Sequence, residues 1–305
     1  MIKLRCRPDI GHYNQSYLTE FWMLFLLLLI LDLSLLVFKW SFILKKQGIQ
    51  LPFLYLFKIY MIGLFYGVIT PAKAGSLGRI FYIKNKTNKS LVEISSSIVI
   101  ERALDLITIL FLSGLGALFL FKNIAGLTTK LIISFILIIS ICIFFISESR
   151  SKFVFSLIFK YVLPKNLKEK VNNSFSEFYK SIPSAKNIFI FFLLTIITWT
   201  VVAIKSVFMA RAFSINTPFL SAATIFLISI AIGTLPITIS GLGTREATLI
   251  ALFNLFDIPI AKVMSMAVIL LLFGSVIPAF IGYLISLKEE IPKNEILNNN
   301  STSPK

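Results

Sequence analysis

Three ionisable residues, Glu101, Arg102 and Asp105, lie together inside a long apolar stretch of the chain. Glu101 and Asp105 are four residues apart and share a helix face, and Arg102 can pair with Asp105 three residues later. Counting about 1.5 Å per residue from Ile94, Asp105 lies roughly 16 Å into the segment, close to the middle of a bilayer. Charges at that depth are costly and usually mark a functional site. The group therefore indicates either a polar pocket for a charged headgroup or a coupling ion, or a structural ion pair that locks two helices.

Glycine and proline interrupt two apolar segments, one in each half of the chain. The first segment stops at Pro71, and a turn with Gly75, Gly78 and Arg79 follows it. The second repeats this order, with Pro236, Gly241, Gly243, Arg245 and Glu246. Broken backbone is tolerated inside a membrane only where protein or a water-filled cavity surrounds it. Paired breaks of this kind indicate the binding site of a transporter.

We expect the two breaks to face each other across a water-filled cavity. Arg79, Arg102 and Arg245 are expected to attract a phosphate, because the planar guanidinium binds phosphate oxygens in a bidentate manner. Acidic residues beside them hold the arginines in place or face a cationic headgroup. The predicted headgroup-binding residues are Arg79, Glu101, Arg102, Asp105, Arg245 and Glu246, and the predicted cavity-lining breaks are Pro71, Gly75, Gly78, Pro236, Gly241 and Gly243.

The composition is that of an integral membrane protein. Hydrophobic residues make up 57% of the chain and charged residues 14%, with a mean hydropathy of +0.88. A soluble domain is usually about 45–50% apolar and about 25% charged. The net charge of +16 fits basic loops at an anionic cytoplasmic leaflet better than nucleic-acid binding, because no basic region stands apart from the apolar segments. With one histidine and two cysteines, we expect no metal site and no cofactor.

The apolar segments predict an all-α, polytopic membrane helix bundle of seven or eight spans. A span needs about 20 apolar residues. The segments are 21–38, 51–69, 94–121, 131–147, 187–210, 219–237 and 262–287. Residues 245–256 form a shorter segment, which either crosses the membrane together with the residues before it or enters the membrane and returns to the same side. Re-entrant or broken helices are expected at Pro71 and Pro236. Asp32, inside the first segment, is expected to join the pocket or to pair with Lys58 or Lys205.

The basic residues predict the orientation and the domain organisation. Sixteen Lys and Arg residues lie in residues 1–20, 70–93 and 148–186, which are expected on one side of the membrane. Six, including Lys39, lie in the connections expected on the other side. The positive-inside rule then places both termini in the cytoplasm of a plasma-membrane protein. We expect a polar tail over 1–20, a membrane domain over 21–287 with a cytoplasmic amphipathic connection at 148–186, and a disordered tail over 288–305.

Three motifs together resemble a known family, the flippase-like membrane domain of lysylphosphatidylglycerol synthases and of free-standing bacterial and archaeal proteins. The resemblance covers roughly residues 35–287 and rests on these motifs: Ile69-Thr70-Pro71 with Gly75 and Arg79, Glu101-Arg102 with Asp105, and Ser240-Gly241-Leu242-Gly243 with Arg245-Glu246. Family members often have Gly-Glu where this chain has Gly75-Ser76, and often begin with another apolar span. Lipid-aminoacylating relatives carry a soluble transferase domain after the spans, and the chain stops at Lys305, so we expect no such activity.

The resemblance implies a lipid flippase-like transporter, which binds a charged phospholipid or lipid-linked headgroup and moves it between leaflets. An intramembrane transferase acting on a polyprenyl-phosphate or phospholipid is the alternative, with Glu101 and Asp105 as base or metal ligands. A second alternative is an accessory or scaffold protein, whose buried charges only hold its helices together. Membrane lipids, anionic or lipid-linked, are the expected partners. A homo-oligomer and a separate lipid-modifying enzyme stay open as further partners.

Overall fold

The computed structural model describes residues 15–120, 176–235 and 238–289, and within these ranges the chain is helical and contains no strand. Numbered along the described residues, the helices are α1 (Gln15–Lys46), α2 (Phe53–Val68), α3 (Arg79–Lys84), α4 (Leu91–Leu120), α5 (Ala185–Ala212), α6 (Phe219–Gly233), α7 (Thr244–Phe253), α8 (Ile260–Leu271) and α9 (Ile277–Ser286). Short 3-10 segments occupy Pro71–Gly78, Ile239–Gly241 and Asn254–Phe256, and a π-helical turn, Leu272–Val276, joins α8 to α9.

Four helical stretches within the described residues are long and apolar enough to cross a membrane: Thr19–Lys46, Leu91–Leu120, Ala185–Ala212 and Ile260–Ser286. Helices α2 and α6 are equally apolar but have only 16 and 15 residues. At about 1.5 Å per residue, neither reaches across a hydrocarbon core of about 30 Å without the residues that follow it. The predicted all-α membrane bundle is confirmed, and the chain is a multi-pass membrane protein.

Several predicted features lie outside the described residues. These are the segment 131–147, most of the connection 148–186, Pro236, and the tail beyond residue 289. The number of spans therefore stays a prediction. Residues 15–20, predicted as part of the polar tail, belong to α1.

Helix α1 is longer than its predicted segment, and this corrects the assignment of Lys39. The predicted span ended at residue 38, and Lys39 was placed with the connections on the far side of the membrane. In the structure α1 continues to Lys46, and Lys39 is 1% exposed within it. A carboxylate from another helix compensates the lysine charge. A span boundary drawn from hydropathy cannot anticipate such a partner.

The described helices form two packed halves. One apolar core joins α1, α2, α3 and the start of α4, and a second joins α5, α6, α7 and α8 with the N-terminal part of α1. Helices α2 and α9 touch backbone to backbone, since a Cβ on Gly282 would lie 2.0 Å from the Met61 carbonyl oxygen. Helices α4 and α6 meet at Gly116, where a Cβ would lie 2.2 Å from Thr224 Oγ1. Small residues thus let the helices approach closely, as is common in membranes.

The first break, Pro71–Gly78, is a 3-10 segment stabilised by local hydrogen bonds. Helix α2 ends at Val68, and Pro71 opens the new segment. The Thr70 hydroxyl donates to the Tyr66 carbonyl at 2.8 Å and accepts from the Gly75 amide at 2.7 Å. A Cβ on Gly75 would lie 2.2 Å from the Tyr66 carbonyl oxygen, so no larger residue fits this turn. The interruption predicted at Pro71 is confirmed.

The second break, residues 238–243, has backbone in the left-handed region. Ser240, Gly241 and Gly243 have φ of 55°, 79° and 85°. A Cβ on Gly241 would lie 2.5 Å from the Gly233 carbonyl oxygen, so this turn folds back onto the end of α6. The two breaks pack against each other. Each half therefore has the same order of parts, which is a short apolar helix, a 3-10 turn and a second short helix.

The last predicted segment, 262–287, is one apolar stretch but not one regular helix. A π-helical turn at Leu272–Val276 separates α8 from α9. Pro278 follows directly, and its missing backbone N–H and its ring disturb the hydrogen-bond ladder of the preceding turn. Single-turn π insertions are a common response to such a disturbance.

Candidate functional site

A cavity of about 500 Å³ lies where the two halves meet. Its walls come from the first break, the middle of α4, the end of α6 and the second break, with one side chain from α5. The polar and charged residues that line it are Lys73, Ser76, Arg102, Asp105, Trp199, Thr234, Thr238 and Ser240. The turns of both breaks and the charged residues of α4 thus line the same cavity.

Arg79 and Glu101 form a buried ion pair outside the lining of this cavity. Arg79 Nη2 donates to Glu101 Oε2 at 2.9 Å, and the two side chains are 1% and 0% exposed. The guanidinium lies over the rings of Trp40 and Tyr60, at 4.4 and 4.6 Å from their centroids. The Tyr60 hydroxyl donates to Glu101 Oε1 at 3.0 Å. This geometry ties α2, α3 and α4 together with α1, and it leaves the predicted headgroup contact of Arg79 and Glu101 without geometric support.

Asp105 lines the cavity but does not pair with Arg102. Its Oδ1 accepts a hydrogen bond from Lys39 Nζ at 2.5 Å and another from Trp199 Nε1 at 3.1 Å. The carboxylate therefore joins α4 to α1 and α5. The prediction that Arg102 pairs with Asp105 is corrected, because a lysine from α1 takes that place.

Arg102 is the lining cation of α4. The charges of Glu101 and Asp105 lie near enough to interact with it, although their hydrogen bonds go to other residues. Its Nε is buried and has no hydrogen-bond partner within the described part of the chain. Because Arg102 lines the cavity and no hydrogen bond to a described residue holds its guanidinium, the outer nitrogens of that group can bind a molecule that enters the cavity.

Lys73, in the connection between α2 and α3, extends a second cation to the cavity. Its backbone has a φ of 57°, and its side chain is open to the cavity. Desolvation by the surrounding protein and, to a smaller extent, the charges of Arg102 and Arg245 lower the pKa of Lys73 to about 8, while the charge of Asp105 opposes this shift. Lys73 lies in the turn after Pro71 and was not among the predicted headgroup-binding residues.

Arg245 and Glu246 start α7 and pair with each other beside the cavity. Glu246 Oε1 accepts from Arg245 Nε at 3.1 Å and from Nη2 at 2.9 Å. The second carboxylate oxygen accepts from the Gly243 amide at 2.7 Å and so caps the helix. Arg245 Cβ packs against Gly233, which lines the cavity. The pair fixes the second break and lies next to the lining residues.

Asp32 pairs with Lys205 and does not line the cavity. The two buried side chains join α1 to α5 through a short hydrogen bond between Lys205 Nζ and Asp32 Oδ2. Of the alternatives left open by the sequence, pairing with Lys205 is the one observed. Asp32 Oδ1 is buried without a partner among the described residues.

The structure thus brings Arg102 and Asp105 to the cavity with Gly241, and it places Arg245 and Glu246 beside it. Arg79 and Glu101 lie in the neighbouring helix interface. Sequence reasoning missed Lys39 and Trp199, which hold Asp105. The signal for Lys39 was available, since a lysine near an apolar run requires either an interface or a buried carboxylate.

Comparison with known proteins places this architecture in a family. Residues 15–282 match the lysylphosphatidylglycerol synthase TM region. A UPF0104 membrane protein of Methanocaldococcus jannaschii is 27% identical over 298 residues, which cover 90% of this chain and 87% of that protein. A UPF0104 membrane protein of Pyrococcus horikoshii is 23% identical over 311 residues, covering 94% and 90% of the two chains. The chain therefore belongs to the family of the lysylphosphatidylglycerol synthase TM region.

Proposed function

We propose that this protein binds a lipid with a charged headgroup and moves that headgroup between the leaflets of the cytoplasmic membrane. The observation that carries the proposal is the cavity of about 500 Å³, where two helix breaks and charged side chains meet inside a membrane-embedded bundle. Charges and irregular backbone at membrane depth persist where they face such a space. The distribution of basic residues supports an orientation with both termini in the cytoplasm.

The cavity can shorten the path of a headgroup through the apolar core. The headgroup lies against the polar lining, where hydroxyl groups and cations of the protein replace part of its hydration shell. The acyl chains stay outside, along the apolar residues at the rim. Leu77, Val99, Leu106 and Leu235 line the cavity and are each more than one third exposed. The rim thus offers apolar surface beside a polar interior, which is the arrangement that an amphipathic lipid requires.

The hydrogen bonds of the buried carboxylates favour transport over a transferase reaction, in which a covalent bond is formed or broken. A general base needs a carboxylate that is available to take a proton. Glu101 is engaged by Arg79 and Tyr60, and Asp105 by Lys39 and Trp199. Both carboxylates therefore serve interfaces between helices.

Reconstitution of the full chain into liposomes tests the proposal. Liposomes that contain trace acyl-labelled fluorescent phosphatidylglycerol or phosphatidylcholine are treated with dithionite, which bleaches only the outer leaflet. We expect the protein to raise the bleached fraction of at least one lipid well above the level of protein-free vesicles. Ala103→Trp fills the cavity from α4 without altering a charge and is expected to abolish the effect. Ala261→Trp, at an exposed position of α8, is the matched control and should leave it intact.

Two results contradict the proposal. One is a bleached fraction equal to that of empty vesicles for both lipids, with protein shown to be inserted. The other is equal activity of Ala103→Trp and Ala261→Trp, since lipid would then move by a route that avoids the cavity.

A further inference from the structure

The ionisable groups in and around the cavity do not balance. Within the described part of the chain they comprise five cations and three carboxylates: Lys39, Lys73, Arg79, Arg102 and Arg245 on one side, and Glu101, Asp105 and Glu246 on the other. Each carboxylate has one cation as its hydrogen-bonded partner. Glu101 pairs with Arg79, Asp105 with Lys39, and Glu246 with Arg245. Two cations, Lys73 and Arg102, remain.

These two cations are also the ones that line the cavity from different walls. Lys73 extends from the first break and Arg102 from α4, and neither Arg79 nor Arg245 is among the lining residues. Their positive charges repel each other, and the charge of Asp105 acts on both. The buried Arg102 Nε has no acceptor among the described residues. Asp105 also lines the cavity, but its hydrogen bonds go to Lys39 and Trp199. An arginine and a lysine that line one cavity and have no hydrogen-bonded carboxylate form a site for an anion, because guanidinium and ammonium groups bind phosphate oxygens through charge-assisted hydrogen bonds.

The surroundings of the site indicate an anion that belongs to a lipid. Apolar side chains flank the two cations on both walls, namely Leu77 beside Lys73 and Val99 and Leu106 beside Arg102. These three residues are between 41% and 44% exposed. A water-soluble anion gains nothing from this apolar rim, whereas the glycerol and first methylene groups of a lipid can lie against it.

We propose that Lys73 and Arg102 select lipids whose phosphate headgroup has a net negative charge over zwitterionic lipids. The proposal rests on the proposed function in one respect, which is that the cavity receives the headgroup. In a zwitterionic lipid the quaternary ammonium follows the phosphate into the cavity and meets an excess of positive charge. In phosphatidylglycerol the group beyond the phosphate is neutral and meets only hydroxyl groups such as those of Thr238 and Ser240.

Binding, rather than transport, tests this selectivity. The purified full chain in a neutral detergent is titrated with phosphatidylglycerol or phosphatidylcholine of identical acyl chains, and bound lipids are counted by native mass spectrometry. We expect wild-type protein to bind phosphatidylglycerol more tightly. Lys73→Gln and Arg102→Gln should each weaken that binding about tenfold and leave phosphatidylcholine binding nearly unchanged, since a hydrogen bond to a charged group contributes about this much. Arg102→Lys should recover part of the loss.

Lys262→Gln is the matched control. It removes the same charge as Lys73→Gln from an exposed position on α8, outside the cavity, and should bind both lipids as the wild type does. Lys73→Gln removes a side chain that makes no hydrogen bond within the described ranges, so its folding is expected to be unaffected. A competition arm with glycerol 3-phosphate separates the sources of the anion. Displacement of the lipid at equal concentration would show a site for soluble phosphates and overturn the lipid part of the proposal.

The outcomes separate this inference from the proposed function. Equal affinity of the wild type for the two lipids overturns the inference, and so does an equal loss in Lys262→Gln and Lys73→Gln. Either result leaves the proposed transport standing if the protein still brings inner-leaflet lipid to the outer leaflet, where dithionite bleaches it. Preferential binding that depends on Lys73 and Arg102, without any leaflet exchange, supports the anion site and contradicts translocation.

Discussion

Replacing Glu101 by Gln tests whether the Arg79–Glu101 pair is a lock between helices. The substitution preserves the side-chain shape and an acceptor for the Tyr60 hydroxyl, and it removes the charge that faces Arg79 at 2.9 Å. Since both groups are at most 1% exposed, water cannot replace the lost carboxylate. Breaking a buried pair in this way costs about 3–5 kcal/mol, because one charge stays buried without a counter-ion. This loss is between about a fifth and the whole of the stability of many proteins, which is about 5–15 kcal/mol.

The unfolding free energy in mild detergent micelles, followed by circular dichroism as SDS is added, measures this loss. Glu93→Gln provides the control on the same helix. Glu93 pairs with Lys89 near the start of α4, with side chains 28% and 39% exposed, and such a pair contributes about 0–1 kcal/mol. We therefore expect Glu101→Gln to be destabilised by several kcal/mol and Glu93→Gln to resemble the wild type.

The double variant Arg79→Met/Glu101→Gln completes the cycle. Removing both charges should cost less than the sum of the single changes, because no uncompensated ion remains. A loss below about 1 kcal/mol for Glu101→Gln, or a double variant whose loss equals the sum of the single losses, would refute the lock. The first result would mean that water or another group reaches Arg79, and that the pair belongs to the cavity after all.

Three further predictions follow from single contacts. Gly282→Ala should lower the unfolding free energy by about 1–3 kcal/mol, because its Cβ would meet the backbone of α2, whereas Gly274→Ala has open space and should be neutral or slightly stabilising in thermal denaturation. Asp32→Asn should destabilise by about 3–5 kcal/mol because Lys205 then loses its counter-ion, and the added change Lys205→Met should restore part of this in SDS titration. Affinity for phosphatidylglycerol should be constant well below pH 8 and fall with a midpoint near pH 8 as Lys73 loses its proton, and Lys73→Arg should remove this dependence in binding titrations. An unchanged profile in Lys73→Arg, a Gly274→Ala loss equal to that of Gly282→Ala, or an Asp32→Asn variant as stable as the wild type would contradict the respective argument.

The prediction of the fold rested on the apolar segments and on the helix-breaking residues between them. Runs of Leu, Ile and Phe have no alternative to helices in lipid, so the class and the approximate positions of the long helices followed from the sequence. Pro71 marked the first break for the same reason, since it cannot donate a backbone hydrogen bond. The π-helical turn at Leu272–Val276 was not predicted, because its cause lies in how one turn of backbone adjusts to Pro278.

The partners of the charged residues could not be predicted from spacing along one helix. Arg102 stands one turn from Asp105, yet the carboxylate accepts its hydrogen bonds from Lys39 and Trp199, which come from two other helices. Pairing within a helix competes with pairing across helices, and only the packing decides between them. Ser76 is instructive in another way. It lines the cavity at the position where the family resemblance predicts a glutamate, so the cavity has one carboxylate fewer than that resemblance predicts.

The ion pairs of α1 also constrain how the protein is made. Asp105 lies 66 residues after Lys39, and Lys205 lies 173 residues after Asp32, so the first helix leaves the ribosome long before either counter-charge exists. A charge at the centre of an isolated helix costs at least about 2.5–3.5 kcal/mol on insertion. The many apolar residues of α1 offset this cost, but its two charges lack their native partners until α4 and α5 have been synthesised. The charge pairing of α1 is thus completed late in biogenesis, although its sequence comes first.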